Sequence, residues 1–132
     1  MIILITAAAV AAAAVHVLIF YWESVAWTRP TVWRRFGLAS QEDAETTRIL
    51  AYNQGFYNLF LAIGTILGVI LYAVGLVGPG LAIGLFSVSS MVLAALALVS
   101  SGPGRWKSAI VQALFPLVTV VLVIIELITS TP

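Results

Sequence analysis

Residues 2–27 read IILITAAAVAAAAVHVLIFYWESVAW, and this stretch decides what kind of protein the chain makes. It contains no Lys or Arg, and only Thr6, His16, Glu23 and Ser24 interrupt its apolar run. About 20 such residues suffice to cross a bilayer as a helix. The run lacks a positive leading segment and is longer than the roughly 7–15 apolar residues of a signal peptide. It therefore reads as a retained span.

Working outward, three more segments share this character: about 49–76, 81–100 and 109–128, beside a first span of about 2–28. The breaks fall at Val77-Gly78-Pro79-Gly80 and Ser101-Gly102-Pro103-Gly104. Proline removes a donor and glycine admits unusual φ, so each break punctuates a helix. Both are too short for anything but a hairpin between antiparallel neighbours. The expected fold is all-α: a single domain over residues 1–132, a four-helix transmembrane bundle running up-down-up-down.

Composition agrees. Of 132 residues, 62% are hydrophobic and 8% charged, whereas soluble domains carry about 25% charge. Mean hydropathy is +1.14. A formal net charge of +1 leaves no basic excess for a nucleic-acid backbone, so no nucleic-acid partner is expected. Zero cysteines and one histidine exclude disulfides, thiol catalysis and a His-rich metal site within the chain. No cofactor is expected.

Arg29, Arg34, Arg35, Arg48, Arg105 and Lys107 all fall in or beside the segments 28–48 and 101–108. The positive-inside bias makes that side cytoplasmic, with a cytoplasmic loop at about 29–47, both termini on the non-cytoplasmic side, and the plasma (inner) membrane as location. Within the loop, Ser40-Gln41-Glu42-Asp43 reads as a capping box. The serine accepts an orphan N–H and the aspartate reaches back. The second helix should therefore start near Gln41, about two turns before lipid.

Ionisable groups inside a span cost about 2.5–3.5 kcal/mol near its centre, so they persist where they face a bundle interior. His16 and Glu23 lie seven residues apart, on one stripe of the first helix with Phe20 and Trp27. At about 1.5 Å per residue, Glu23 sits about 7 Å inside the boundary and His16 about 18 Å. The second span opens with Tyr52-Asn53-Gln54-Gly55-Phe56-Tyr57-Asn58. By the same arithmetic Asn53 sits about 7 Å deep and Asn58 about 15 Å. Glu23 is then level with Asn53 and Gln54, and His16 with Tyr57 and Asn58. Acid can meet amide, and imidazole can meet amide or phenol.

Two readings of this cluster stand side by side. One is a hydrogen-bond network locking two helices, at roughly 0.6 kcal/mol per bond. The other is a pocket that binds a membrane lipid or small amphipathic molecule through Phe20, Trp27, Asn53, Gln54, Tyr57 and Asn58, with His16 and Glu23 as proton donor and acceptor. An oligomeric transporter or proton-coupled channel, and an accessory subunit of a membrane complex, are the alternatives.

Other features have local explanations. Glu126 lies near the end of the fourth span and is expected to snorkel to water; Thr65 and Thr119 carry no special reading. Gly64/Gly68 and Gly80/Gly84 form G-x-x-x-G pairs, and Ala7, Ala8, Ala11 and Ala12 form further small faces. Such faces permit close helix approach, and they are the candidate surface for a homo-oligomer. Pro116 should bend the fourth helix.

The order of these residues carries a resemblance. A His and a downstream Glu in the first span precede Trp27-Thr28-x-Pro30 and Phe36-Gly37-Leu38, and then the block Asn53-Gln54-Gly55-Phe56-Tyr57-Asn58. This resembles the domain-of-unknown-function 1304 family of small bacterial membrane proteins, over about residues 12–64. The resemblance implies a four-helix integral membrane protein of this length and no established activity.

Overall fold

A computed structural model describes residues 1–102 and 105–129. Among these the ordered elements are all helical. The first span is α1 (Ile2–Phe20), continued without a break by a π-helical turn, Tyr21–Val25. A short α2 (Pro30–Trp33) and a 3-10 turn (Arg34–Phe36) follow, then α3 (Gln41–Ala73), α4 (Val77–Ser100) and α5 (Trp106–Thr129). Four helices, with α1 extended to Val25, are long and apolar enough to cross a membrane. Each of these packs on the next in the chain, and α5 returns to α1, closing a four-helix ring. Large apolar side chains such as Ile3, Phe60, Phe86 and Leu93 face outward, as expected where the solvent is hydrocarbon and the interior is no more apolar than the surroundings.

The capping box is present in full: Ser40 Oγ accepts from Asp43 N at 3.0 Å and Ser40 N donates to Asp43 Oδ2 at 3.1 Å. It starts α3 at Gln41, as the sequence implies. The hairpin between the second and third spans lies earlier than expected. The break is at 74–76, with Gly75 at φ +90°, and Gly78-Pro79-Gly80 belong to the first turn of α4. The reason is general: a helix's first turn has no partner for its N–H groups, so a proline there costs nothing. The other break is expected at 101–104; α4 ends at Ser100 with Ser101 as its cap, and 103–104 lie outside the described residues. Beyond it α5 begins at Trp106, one turn before the expected position.

The G-x-x-x-G pairs are used inside the chain. A Cβ on Gly68 would lie 2.5 Å from Gly84 Cα and 2.9 Å from Gly80 O. A Cβ on Gly80 would lie 2.6 Å from Tyr72 N. Here α3 and α4 touch backbone to backbone, which only glycine allows. Farther along the bundle Ala12, Val88 and Met91 form a buried cluster, with Leu61, Leu85 and Val120 against it.

The segment 26–40 is more than a loop. Ala26, Trp27, Val32 and Ala51 form a second buried cluster, packed on by Trp22, Phe36 and Leu38. The Trp27 indole donates to Ala44 O at 3.0 Å, and the Trp33 indole to Gln41 Oε1 at 3.0 Å. Gln41 Nε2 in turn donates to Thr28 O at 3.2 Å. Indoles with satisfied N–H groups suit the headgroup layer, and here they also staple the segment onto the start of α3. All six Lys and Arg residues sit at or beside this basic end; the N-terminus of α1 and the C-terminus of α5 lie at the other.

Candidate functional site

Local backbone geometry sets the seam between the first two spans. In the π-turn, Ala26 N bonds back to Tyr21 O at 2.9 Å, a five-residue step in place of four. Each residue there advances less than in an α-helix, so Glu23 does not continue the His16 stripe in regular phase. Such turns recur at functional positions. Ser24 Oγ donates to Tyr52 O at 2.8 Å, tying the turn to the backbone of α3. Gly55 makes the approach possible: a Cβ there would overlap Ser24 Oγ and lie 3.0 Å from Ser24 N and 3.1 Å from Phe20 O. The glycine within the Asn-Gln-Gly block is thus a contact point between helices.

Across this seam Asn58 Nδ2 donates to Glu23 Oε2 at 2.9 Å, and its second amide hydrogen goes to Gln54 O at 3.1 Å. The acid meets its amide one turn deeper than a level-for-level count, which pairs it with Asn53 and Gln54. The tilt of Cα–Cβ bonds accounts for the offset. Every such bond leans toward its helix N-terminus, so in antiparallel neighbours the side chains lean toward each other along the axis. Glu23 leans inward from the basic end and Asn58 leans back to meet it, whereas Asn53 and Gln54 lean away. Both members of the pair are half-buried.

The remaining predicted residues divide by exposure. Asn53, Gln54 and Tyr57 present exposed side chains on the outer surface of α3. Phe20 is half-buried and meets Phe56 edge-on, with ring centroids 5.2 Å apart; Phe56 also meets Tyr52 and Phe60 with tilted rings. Trp27 is held by Ala44 and by Phe36, whose ring centroid is 4.9 Å away. Tyr21 OH accepts from Arg29 Nη1 at 3.2 Å, placing a cation at the edge of the seam.

His16 is elsewhere. It is 0% exposed, its Nδ1 is 2.9 Å from Ala12 O, and Nε2 is buried without a hydrogen-bond partner. Thus the imidazole sits inside the bundle, and no hydrogen bond links it to Glu23, Tyr57 or Asn58. The seven-residue spacing separates His16 and Glu23 by about 10 Å along the axis. Chemically the seam offers acceptors. Asn58 has committed both amide hydrogens, so Asn58 Oδ1 and Glu23 Oε1 are the atoms left to receive a donor. No group of three or more His, Cys, Asp or Glu among the described residues is arranged to hold a metal ion.

Sequence reasoning passed over a cavity at the opposite end. All four spans line it, with Thr65, Thr119 and Glu126 among its residues and a volume of about 110 Å³. The signal was present in α5, where Pro116, Thr119, Val123 and Glu126 repeat at three- and four-residue steps. That spacing puts Glu126 on the inward stripe.

Fold and seam together define a multi-pass membrane protein built as a four-helix bundle. The chain belongs to the family described as Protein of unknown function (DUF1304), whose model matches residues 10–124. No curated protein and no solved structure matches the chain.

Proposed function

We propose that this protein binds a small amphipathic or lipid-like molecule at the seam between α1 and α3, with Glu23 and Asn58 receiving a hydrogen-bond donor of its headgroup. The observation that carries the reading is the Glu23–Asn58 bond, a half-buried acid held by an amide of the adjacent span. A network that only locks helices has no use for an ionisable group, since amides alone would serve. Around the pair, Asn53, Gln54 and Tyr57 supply polar surface, and Phe20, Phe56 and Phe60 supply apolar surface along the same seam. Trp27 shapes the floor by fixing the segment 26–40.

In this reading Glu23 is the proton donor or acceptor that a ligand touches. His16 serves from the interior, and exchange across the about 10 Å between the two needs a chain of waters. The protein lies in the plasma (inner) membrane with its basic end in the cytoplasm and both termini outside. The support is the placement of all six Lys and Arg at that end.

The test is native mass spectrometry after extraction in mild detergent. The wild-type chain should carry a stoichiometric amphiphile adduct that Glu23→Gln and Asn58→Leu both lose while melting near the wild-type temperature. Identical adduct profiles in all three proteins would refute the seam as a binding site.

A further inference from the structure

The cavity at the terminal end has a chemistry of its own. Its walls are aliphatic side chains and glycine, including Ile5, Leu85 and Val123. At its inner level Thr65 and Thr119 are buried, 1% and 4% exposed. Each hydroxyl donates to its own helix, Thr65 Oγ1 to Leu61 O and Thr119 Oγ1 to Phe115 O, both at 2.9 Å. A hydroxyl has one proton, so these two present only lone pairs to the interior. Toward the mouth is Glu126, about 10 Å from Thr119 along α5, whose carboxylate likewise accepts. No ion pair is formed among the described residues, and Glu126 has no side-chain hydrogen bond there. Tyr72 and Thr6 are the other polar residues of the lining.

We infer that this cavity takes a small lipophilic cation: an ammonium group held by Glu126 at the mouth, with its hydrocarbon chain running between the four spans toward Thr65 and Thr119. An anion would meet the Glu126 carboxylate and the two acceptor hydroxyls of Thr65 and Thr119, and the Tyr72 and Thr6 hydroxyls, which can donate, bring no charge to offset that. A neutral hydrocarbon would leave the half-buried carboxylate without a charge-assisted partner. An ammonium supplies donors and the opposite charge beside the carboxylate, and the chain removes apolar surface from water. Size limits the occupant. A cavity of about 150 Å³ holds one benzene, so about 110 Å³ suits a chain of about four carbons. This site lies at the opposite end of the bundle from the Glu23–Asn58 seam and does not depend on it.

The probe is n-butylammonium, with 1-butanol as its neutral twin. The protein carries ¹³C-labelled threonine methyls and sits in phosphatidylglycerol nanodiscs, which contain no ammonium. Butylammonium should produce saturable shifts at Thr65 and Thr119 and leave Thr28 and Thr31, at the basic end, unmoved. Glu126→Gln should weaken its binding about tenfold, the worth of one charge-assisted hydrogen bond, and Glu126→Lys should abolish it. Butanol should bind more weakly and respond to neither change. Unaltered Thr28 and Thr31 signals report that the variants fold. A second arm replaces part of the lipid with phosphatidylethanolamine. A lipid ammonium, two carbons from its phosphate, can compete for Glu126 at the mouth without shifting Thr65 and Thr119; weaker butylammonium binding in these discs identifies the lipid headgroup as a source of the ammonium, and unchanged binding leaves the free amine. Equal effects of butylammonium and butanol, or wild-type butylammonium affinity in Glu126→Gln, would overturn the inference.

Discussion

Gly68 and Gly84 occupy equivalent places in two G-x-x-x-G motifs, yet alanine should have opposite effects at the two. A Cβ on Gly68 would meet Gly84 Cα at 2.5 Å, Gly84 N at 2.6 Å and Gly80 O at 2.9 Å. All three are backbone atoms, so no side chain can swing aside. Relief requires α3 and α4 to separate by close to an ångström, which forfeits about a quarter to a half of each dispersion well across the contact. Overpacking of this kind costs about 1–3 kcal/mol, and the backbone contact puts Gly68→Ala near the upper limit. A Cβ on Gly84 would meet only Gly68 Cα, at 3.7 Å, an ordinary contact. There the helix propensity of alanine acts unopposed and stabilises by up to about 1 kcal/mol. The two variants should therefore differ by about 3 kcal/mol. Reversible unfolding in mixed micelles, followed by helical circular dichroism, measures the difference. Equal shifts, or a Gly84→Ala variant less stable than Gly68→Ala, would refute the assignment of this contact as a backbone-to-backbone one.

Three further outcomes are expected. His16→Leu should hold or raise stability, because an apolar side chain removes an orphaned buried nitrogen; a loss above about 1.5 kcal/mol in the same unfolding assay would show that Nε2 has a partner. Ser40→Ala should cost about 1 kcal/mol by removing the cap of α3, read as a lower midpoint with unchanged helical content. The chain has no cysteine, so Ala39→Cys gives a single reporter at an exposed position of the basic end; in intact cells it should react with permeant maleimide and resist an impermeant one, and reaction with both would reverse the proposed orientation.

Much of the architecture is legible in the linear chain because lipid imposes a simple rule. A span must be about 20 apolar residues with its backbone bonds satisfied internally, and the runs beginning at Ile2, Ile49, Leu81 and Ala109 meet that rule. The Ser40–Asp43 box is legible for a similar reason: cap chemistry is local, so four adjacent residues contain it. The Gly78-Pro79-Gly80 triplet misled by three residues, since the same residues that break a helix are tolerated in its first turn. Depth along the span could be counted, but the meeting of Glu23 with Asn58 depends on the opposed lean of side chains in antiparallel helices.

What the sequence by itself determined, then, is the solvent, the number of spans, the cap of α3 and which polar residues interrupt the apolar runs. Tertiary structure alone decided which amide holds the acid, that His16 turns into the bundle, that the paired glycines meet each other within the chain, and that Glu126 lines an interior cavity. The division has one physical cause. Hydropathy and capping are properties of a few neighbouring residues, whereas register, facing and enclosed space exist only once separate helices have been brought to a fixed distance and angle.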